Sequence, residues 1–143
     1  MYELRGECFV MQFEDILSKR PIGILATVSD DGPRTRAFQV LWTEGNKLFF
    51  STGAQKPVGQ QLVNHPKASF CLENKFSPVL SFNGDVAFVD DMEAKKRAIS
   101  LLPKQVQDLY DGNPAHESFR VFYIEVKEIR TFSYKEGLKE YTL

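Results

Sequence analysis

Short apolar runs, rich in β-branched and aromatic residues, alternate along this chain with turn-forming residues. This pattern predicts β-strands. Six such runs lie at residues 22–28, 36–42, 47–52, 68–72, 79–89 and 119–132. Asp31-Gly32 and Gly45 mark the turns between the first three runs, because glycine supplies the positive φ that tight hairpins need. Asn83-Gly84 predicts a bulge inside the fifth run.

Helical spacing of apolar residues occurs in four shorter segments. Phe9, Phe13 and Leu17 predict an amphipathic helix over residues 9–20, which Pro21 ends. Three further short helices are predicted at 56–64, 92–102 and 104–110. Asp90-Asp91 supplies the N-cap of the helix that begins at residue 92.

The strands outnumber the helices, and neither repeats nor linkers interrupt their even spacing. A length of 143 residues suits one domain with one core, so residues 1–143 are assigned to a single domain. Meandering strands with short helices at the corners favour a small closed or split barrel over a parallel βαβ sheet. No GxGxxG or GxxxxGK[ST] motif supports a classical dinucleotide site or a P-loop.

Composition and charge exclude several classes of function. A net charge of −1 argues against a general nucleic-acid binder. No apolar run approaches membrane-spanning length, and residues 1–7 do not look like a signal peptide. Cys8 and Cys71 lack CxxC spacing, which predicts a reducing, cytoplasmic location. His65 and His116 have no partner at metal-ligand spacing, so no metal is expected.

Cations and hydroxyl groups gather where the second and third predicted strands lead into the second helix. Arg36 opens one strand, Ser51-Thr52 end the next, and Lys56 follows a Gly-containing turn at the helix start. Such a turn offers backbone N–H groups beside positive charge, which suits a phosphate. Each residue alone is better explained as a solvated surface residue, and only the combination favours a binding site.

With Asn64-His65-Pro66 after it, this segment resembles the FMN-binding split barrels of the pyridoxamine 5'-phosphate oxidase-like superfamily, and among them the small general stress proteins. The resemblance runs from about Phe9 to the end of the chain. It implies a mainly β fold with short helices, a six-stranded antiparallel split β-barrel of the FMN-binding type. It implies FMN as the cofactor, with Arg36 and Lys56 on its phosphate and Gln39 at the polar edge of its ring. The full set of implied cofactor-binding residues is Arg36, Phe38, Gln39, Val40, Phe50, Ser51, Thr52 and Lys56. No catalytic residue is identified.

The resemblance further implies a homodimer with the flavin at the subunit interface, since so small a barrel cannot enclose the ring. Trp42, Phe50 and Phe82 are candidates either for that interface or for the core. The implied activity is an oxidoreductase that transfers hydride or electrons between a reduced nicotinamide and a small acceptor. The acceptor, and the choice between NADH and NADPH, stay open.

Two departures from the family pattern limit this interpretation. Residues 79–82 lack the Arg or Gln with which family members often reach a flavin across the dimer. Residues 131–139 lack the Trp and His of true pyridoxamine phosphate oxidases, which argues against vitamin B6 oxidation. Two alternatives therefore remain: a non-catalytic stress-response protein that binds flavin, haem or deazaflavin, and an interaction domain with a vestigial phosphate pocket.

Overall fold

The computed structural model describes residues 2–3, 9–73 and 78–142. Nine strands form one sheet, and four short helices lie between them. The strands are β1 Tyr2–Glu3, β2 Ile22–Ser29, β3 Gly32–Gln39, β4 Trp42–Glu44, β5 Lys47–Gly53, β6 Lys67–Leu72, β7 Val79–Val89, β8 Phe119–Ser133 and β9 Gly137–Thr142. The helices are α1 Glu14–Leu17, α2 Pro57–Asn64, α3 Met92–Ser100 and α4 Lys104–Asp108.

Strand β8 organises the sheet, whose main path runs β1-β9-β8-β7-β6-β2-β3. It pairs with β7 along one edge, and on the other edge with β5 and then β9. All pairs are antiparallel except that of β1 with β9. The register shifts between Asn83 and Gly84, which confirms the predicted bulge.

The sheet curls until β3 faces β5, but it does not close. The Phe38 ring lies edge-on to Phe50 and Phe122, with centroids 6.0 and 5.9 Å apart. In the described parts of the chain, β3 pairs only with β2, and β5 pairs with β4 and β8. Aromatic packing rather than a hydrogen-bond ladder therefore holds this seam, and the mainly β split-barrel fold is confirmed.

The strand count differs from the expected six. All six predicted strands are present, but the second is divided at Val40 and Leu41. Their N–H groups leave the ladder and donate to Pro21 O and Phe49 O, at 3.1 and 2.9 Å. The short β1 and the C-terminal β9 complete the nine strands.

Two hydrophobic clusters form the core. The first fills the barrel, with Phe50, Phe70, Phe82 and Phe122 fully buried; the second lies between β4, β5, β8 and the helices α3 and α4. Trp42 belongs to the second cluster. Trp42, Phe50 and Phe82, the candidates for the subunit interface, are therefore core residues.

The first predicted helix is shorter than expected. A 3-10 turn at Phe9–Phe13 leads into α1, which ends at Leu17. After the helix ends, Arg20 adopts a φ of 51°, in the left-handed region, immediately before Pro21. The N-cap prediction for α3 is confirmed, since Asp91 accepts a hydrogen bond from Ala94 N–H at 3.2 Å.

No helix among the described residues is long and apolar enough to cross a membrane. Cys8 and most of the turn after β6 lie outside the described residues.

Candidate functional site

A cleft of about 190 Å³ opens at the seam where β3 faces β5. We call it the seam cleft. Five of the eight implied cofactor-binding residues line it: Phe38, Gln39, Ser51, Thr52 and Lys56. They meet because β3 and β5 approach each other along the seam and Lys56 immediately precedes α2. The structure thus brings together most of a site proposed from sequence, although it does not test what the site binds.

The hydroxyl of Thr52 is the group at the seam cleft that most suggests a ligand. Thr52 is 4% exposed, and its Oγ1 is buried without a hydrogen-bond partner among the described residues. A buried hydroxyl left unpaired costs about 1–3 kcal/mol. Thr52 also lines the seam cleft, so this unpaired hydroxyl lies just behind the cleft surface.

The residues of the far wall of the cleft are not among the site residues predicted from the sequence. Leu102, Val106 and Tyr110 line it, from the segment that contains α4. The four-residue spacing of Val106 and Tyr110 was the available signal, since it places both on one helical face. That spacing does not indicate which strands the face will meet.

Tyr110 adds a polar group to this wall. Burial raises the pKa of its hydroxyl, which therefore stays protonated at neutral pH. A Cβ placed on Gly53 would lie 3.0 Å from that hydroxyl, so the end of β5 passes close to it. Tyr110 therefore places a protonated hydroxyl in the cleft wall near the end of β5.

Arg36 lies outside the lining of the seam cleft, in a closed hydrogen-bond triangle. Its Nη1 donates to Thr27 Oγ1 and its Nη2 to Gln61 Oε1, each at 2.7 Å. Thr27 Oγ1 donates to the same Gln61 oxygen, also at 2.7 Å. Burial, and next the charge of Arg34, lower the pKa of the Arg36 guanidinium, which stays cationic as arginine does in proteins.

This triangle connects Arg36 to the helix that Lys56 precedes. Lys56 is the N-cap of α2 and makes no side-chain cap bond, and the first turn of α2 contains no acidic residue. In the described chain, Arg36 has no carboxylate within ion-pair distance. Positive charge thus lies at the start of α2 and beside its middle, an arrangement that suits an anion.

Two of the implied cofactor-binding residues point into the core. Val40 and Phe50 are fully buried, and Val40 N–H is already bonded to Pro21 O. Their side chains pack in the barrel, so only backbone atoms are left for contact with a ligand. Gln39 is half-buried and donates its Nε2 to Arg20 O at 3.0 Å.

Neither histidine lines the seam cleft, but the His116 ring lies 5.8 Å from that of Tyr110 in the cleft wall. His65 Nε2 is 3.0 Å from Asp30 Oδ1, and His116 Nδ1 accepts from Ser118 N–H at 3.1 Å. Within residues 9–73 and 78–142, no three His, Cys, Asp or Glu side chains are grouped so as to hold a metal ion.

Comparisons with known proteins agree with this fold. The family model of pyridoxamine 5'-phosphate oxidase matches residues 9–133. A NimC/NimA family protein from Clostridium acetobutylicum has a TM-score of 0.76 and 25% identity, over 93% of this chain and 91% of that one. A protein related to general stress protein 26 from the same organism has a TM-score of 0.74 and 14% identity, over 96% of both chains. The comparison with curated proteins gives no match.

Structures of cofactor-binding proteins share the fold as well. A pyridoxamine 5'-phosphate oxidase-related, FMN-binding protein from Nostoc punctiforme has a TM-score of 0.69 and 16% identity, over 92% of this chain and 84% of that one. A heme binding protein from Mycobacterium smegmatis (TM-score 0.71, 16% identity, 97% and 59% covered) and an F420 reductase (0.61, 23%, 81% and 94%) also match. At these identities the likeness establishes the fold and leaves the cofactor open.

Proposed function

Because the chain belongs to the pyridoxamine 5'-phosphate oxidase family, whose model spans residues 9–133, we propose that it binds FMN at the seam cleft and acts as an oxidoreductase. One observation carries the proposal. Thr52, whose buried hydroxyl has no partner among the described residues, lines the cleft that also contains Lys56. A flavin ring has carbonyl and nitrogen acceptors along one edge, so it can accept the hydrogen bond that this hydroxyl is missing.

Separate residues hold the two ends of the cofactor in this proposal. Arg36 and Lys56 bind the phosphate, since charge-assisted bonds to phosphate are the strong ones. Thr52 and Ser51 bind the polar edge of the ring by hydroxyl or backbone groups, and Gln39 lies beside them. Phe38 contacts the ring from β3, while Val40 and Phe50 contribute backbone atoms only, since their side chains are in the core.

FMN supplies the redox chemistry, relaying hydride or electrons from a reduced nicotinamide to a small acceptor. The chain's own residues orient it and control water. Leu102, Val106 and Phe38 make the cleft wall apolar on two sides. Tyr110 adds a protonated hydroxyl to the cleft wall, and burial raises the pKa of that hydroxyl further. Residues 131–139 still argue against vitamin B6 oxidation as the activity.

We propose that a second copy of this chain completes the site. At about 190 Å³ the seam cleft is smaller than the roughly 300–1,000 Å³ of ordinary ligand pockets. Strand β2 offers an apolar outer face, where Ile22 is 70% exposed and Ile24 and Val28 are also exposed. Contiguous exposed apolar residues mark interfaces, and a two-fold dimer is their commonest use. Half-buried Cys71 has no disulfide partner among the described residues, and the reducing, cytoplasmic location is proposed with it.

A non-catalytic binder of flavin, haem or deazaflavin is the second candidate. The sequence Val79-Leu80-Ser81-Phe82 favours it, because it offers no cation or amide to reach a cofactor across a dimer. Leu80 and Phe82 are also fully buried in the core, so their side chains do not reach a cofactor on a second subunit.

The visible spectrum of the purified protein, followed by addition of NADH or NADPH, separates these candidates. Flavin absorbance bands that bleach with either nucleotide support the proposed oxidoreductase. Flavin, haem or deazaflavin bands that neither nucleotide changes support the non-catalytic binder. No absorbing cofactor after incubation with excess FMN contradicts both.

Light scattering at decreasing protein concentration tests the shared site. We expect FMN and the second subunit to be released together on dilution. A monomer that retains FMN would contradict the completion of the site by a partner.

A further inference from the structure

A second cavity, of about 670 Å³, shares no lining residue with the seam cleft. It lies between α2, the end of β7 and the start of β8. We call it the mouth cavity, because these elements meet at one end of the barrel. Mouths of β-barrels are frequent ligand sites, and the size is within the usual range for small molecules.

Apolar side chains exposed in the mouth cavity give it a hydrophobic wall. Val63 on α2 is 61% exposed and Phe88 on β7 is 36% exposed. The Phe88 ring lies 5.9 Å from Phe122, which stacks on Phe50 at 5.3 Å. Phe88 therefore packs against a core ring while part of its side chain stays exposed in the cavity. Large apolar residues exposed within a polar rim indicate a binding surface.

Arg120 contributes a positive charge to this wall. Its Nη1 donates to the backbone carbonyls of Glu117 and Phe119, the latter at 3.2 Å. No carboxylate lies within 4 Å of its guanidinium in the described part of the chain, and no hydrogen bond there uses its Nε or Nη2. Hydrogen bonds to the main chain thus hold the side chain, and Nε and Nη2 stay available for a ligand. Lys95 chiefly, and Arg120 to a smaller extent, lower the pKa of the exposed Asp90 carboxyl in the same cavity.

The other charged groups of the mouth cavity do not compete for the same ligand. Lys95 is bonded to Asp90 at 2.9 Å, and Glu117 is exposed to solvent. His116 Nδ1 accepts from Ser118 N–H, and its Nε2 already faces Asp111 Oδ2 at 3.8 Å. Among the described residues of the wall, Arg120 is therefore the cation whose donors are left for a ligand, and it selects an anionic group.

We propose that the mouth cavity binds a small carboxylate with an apolar body, independently of the flavin. The carboxylate pairs with Arg120, and the apolar body covers Phe88 and Val63. Arginine matches a carboxylate with two parallel donors, which gives such a pair its specificity. The ligand class follows from the chemistry of the cavity and does not depend on the proposed oxidoreductase activity.

Octanoate and octylammonium, which share an apolar chain and differ in charge, are suitable probes for the full-length protein with any cofactor it retains. We expect octanoate to shift the backbone amide NMR signals of Gln60, Phe88 and His116, and to bind at least about tenfold more tightly than octylammonium. No shift at these amides up to the solubility limit, or equal binding of both probes, would overturn the proposal.

Two substitutions on strand β8 give a matched pair. Arg120→Gln should weaken octanoate binding about tenfold or more. Arg130→Gln should leave it unchanged, because Arg130 is already paired with Glu128 and Glu140, at 2.7 and 3.4 Å. An equal effect of the two substitutions would refute the role of Arg120.

Val63→Asp keeps the proposal testable if Arg120→Gln fails to fold, since Val63 is exposed on α2. The added carboxylate should abolish octanoate binding and leave octylammonium binding the same or tighter. Octanoate binding equal to that of the parent protein would refute the proposed site.

Discussion

Replacing Thr52 by valine should move protein stability and FMN affinity in opposite directions. Valine keeps the shape of the side chain and removes the buried hydroxyl that has no partner among the described residues. Relief of an unpaired buried hydroxyl should raise the free energy of unfolding of the cofactor-free protein by about 1 kcal/mol. For a chain of this length, that corresponds to an increase in Tm of about 3 °C.

FMN binding should weaken in the same variant. If the Thr52 hydroxyl bonds to the cofactor, its loss removes about 0.5–1.5 kcal/mol of binding free energy, a two- to tenfold increase in Kd. Differential scanning calorimetry without cofactor and a flavin-fluorescence titration measure the two quantities. A Tm that falls and an FMN affinity that stays unchanged would refute the reasoning about Thr52.

Thr27→Val is the matched control. Thr27 is 2% exposed, as buried as Thr52, but its hydroxyl donates to Gln61 and accepts from Arg36. Removing it leaves a charged donor and an amide oxygen each with one partner fewer. We therefore expect a lower free energy of unfolding, by about 1–3 kcal/mol. If both valine variants shift Tm in the same direction, hydrogen bonding does not distinguish the two threonines.

Three other perturbations follow from the structure. Arg36→Ala and Lys56→Ala should each weaken FMN binding about tenfold or more. Riboflavin lacks the phosphate, so its binding should stay unchanged in both variants. Equal losses for the two ligands in a fluorescence titration would contradict the assignment of these cations to the phosphate. Gly84→Ala should lower the free energy of unfolding, measured in urea, by about 1–3 kcal/mol, because the new Cβ would lie 2.0 Å from Glu125 O. An unchanged free energy of unfolding would show that the backbone at the bulge can move without cost. Because burial raises the pKa of Tyr110, its protonated hydroxyl contributes stability that is fully present below the unfolded-state pKa of about 10. This contribution is lost as the pH rises through the folded-state pKa. Tyr110→Phe should therefore lose less stability than the parent between neutral and strongly alkaline pH, and identical pH dependence would contradict the role of burial.

Local sequence patterns were sufficient for most of the elements. The Asn83-Gly84 bulge, the Asp91 cap and the six main strands were all predicted, because turn chemistry, capping and apolar runs act over a few residues. The first helix was predicted too long. Its apolar spacing was helical, but the segment begins as a 3-10 turn at Phe9–Phe13 and the α-helix ends at Leu17, before Arg20 turns into the left-handed region.

Part of the candidate site was also predictable. Ser51, Thr52 and Lys56 are neighbours in the chain, and one strand end leading into a helix keeps them together. Phe38 and Gln39 were added through the resemblance to a family. The partners of Arg36 were not predictable, since Thr27 and Gln61 lie 9 and 25 residues away along the chain.

The sequence by itself determined the class of fold, the positions of the strands and the cluster of cations and hydroxyls near α2, because these depend on local propensity and spacing. Only the tertiary structure decided which aromatic residues are core and that Tyr110 forms a wall of the seam cleft. It also decided that the Thr52 hydroxyl is buried with no partner in the part of the chain that the structure describes. Burial and partner choice depend on how the curled sheet brings distant segments together. The sequence pattern of one segment does not indicate which distant segments it will contact.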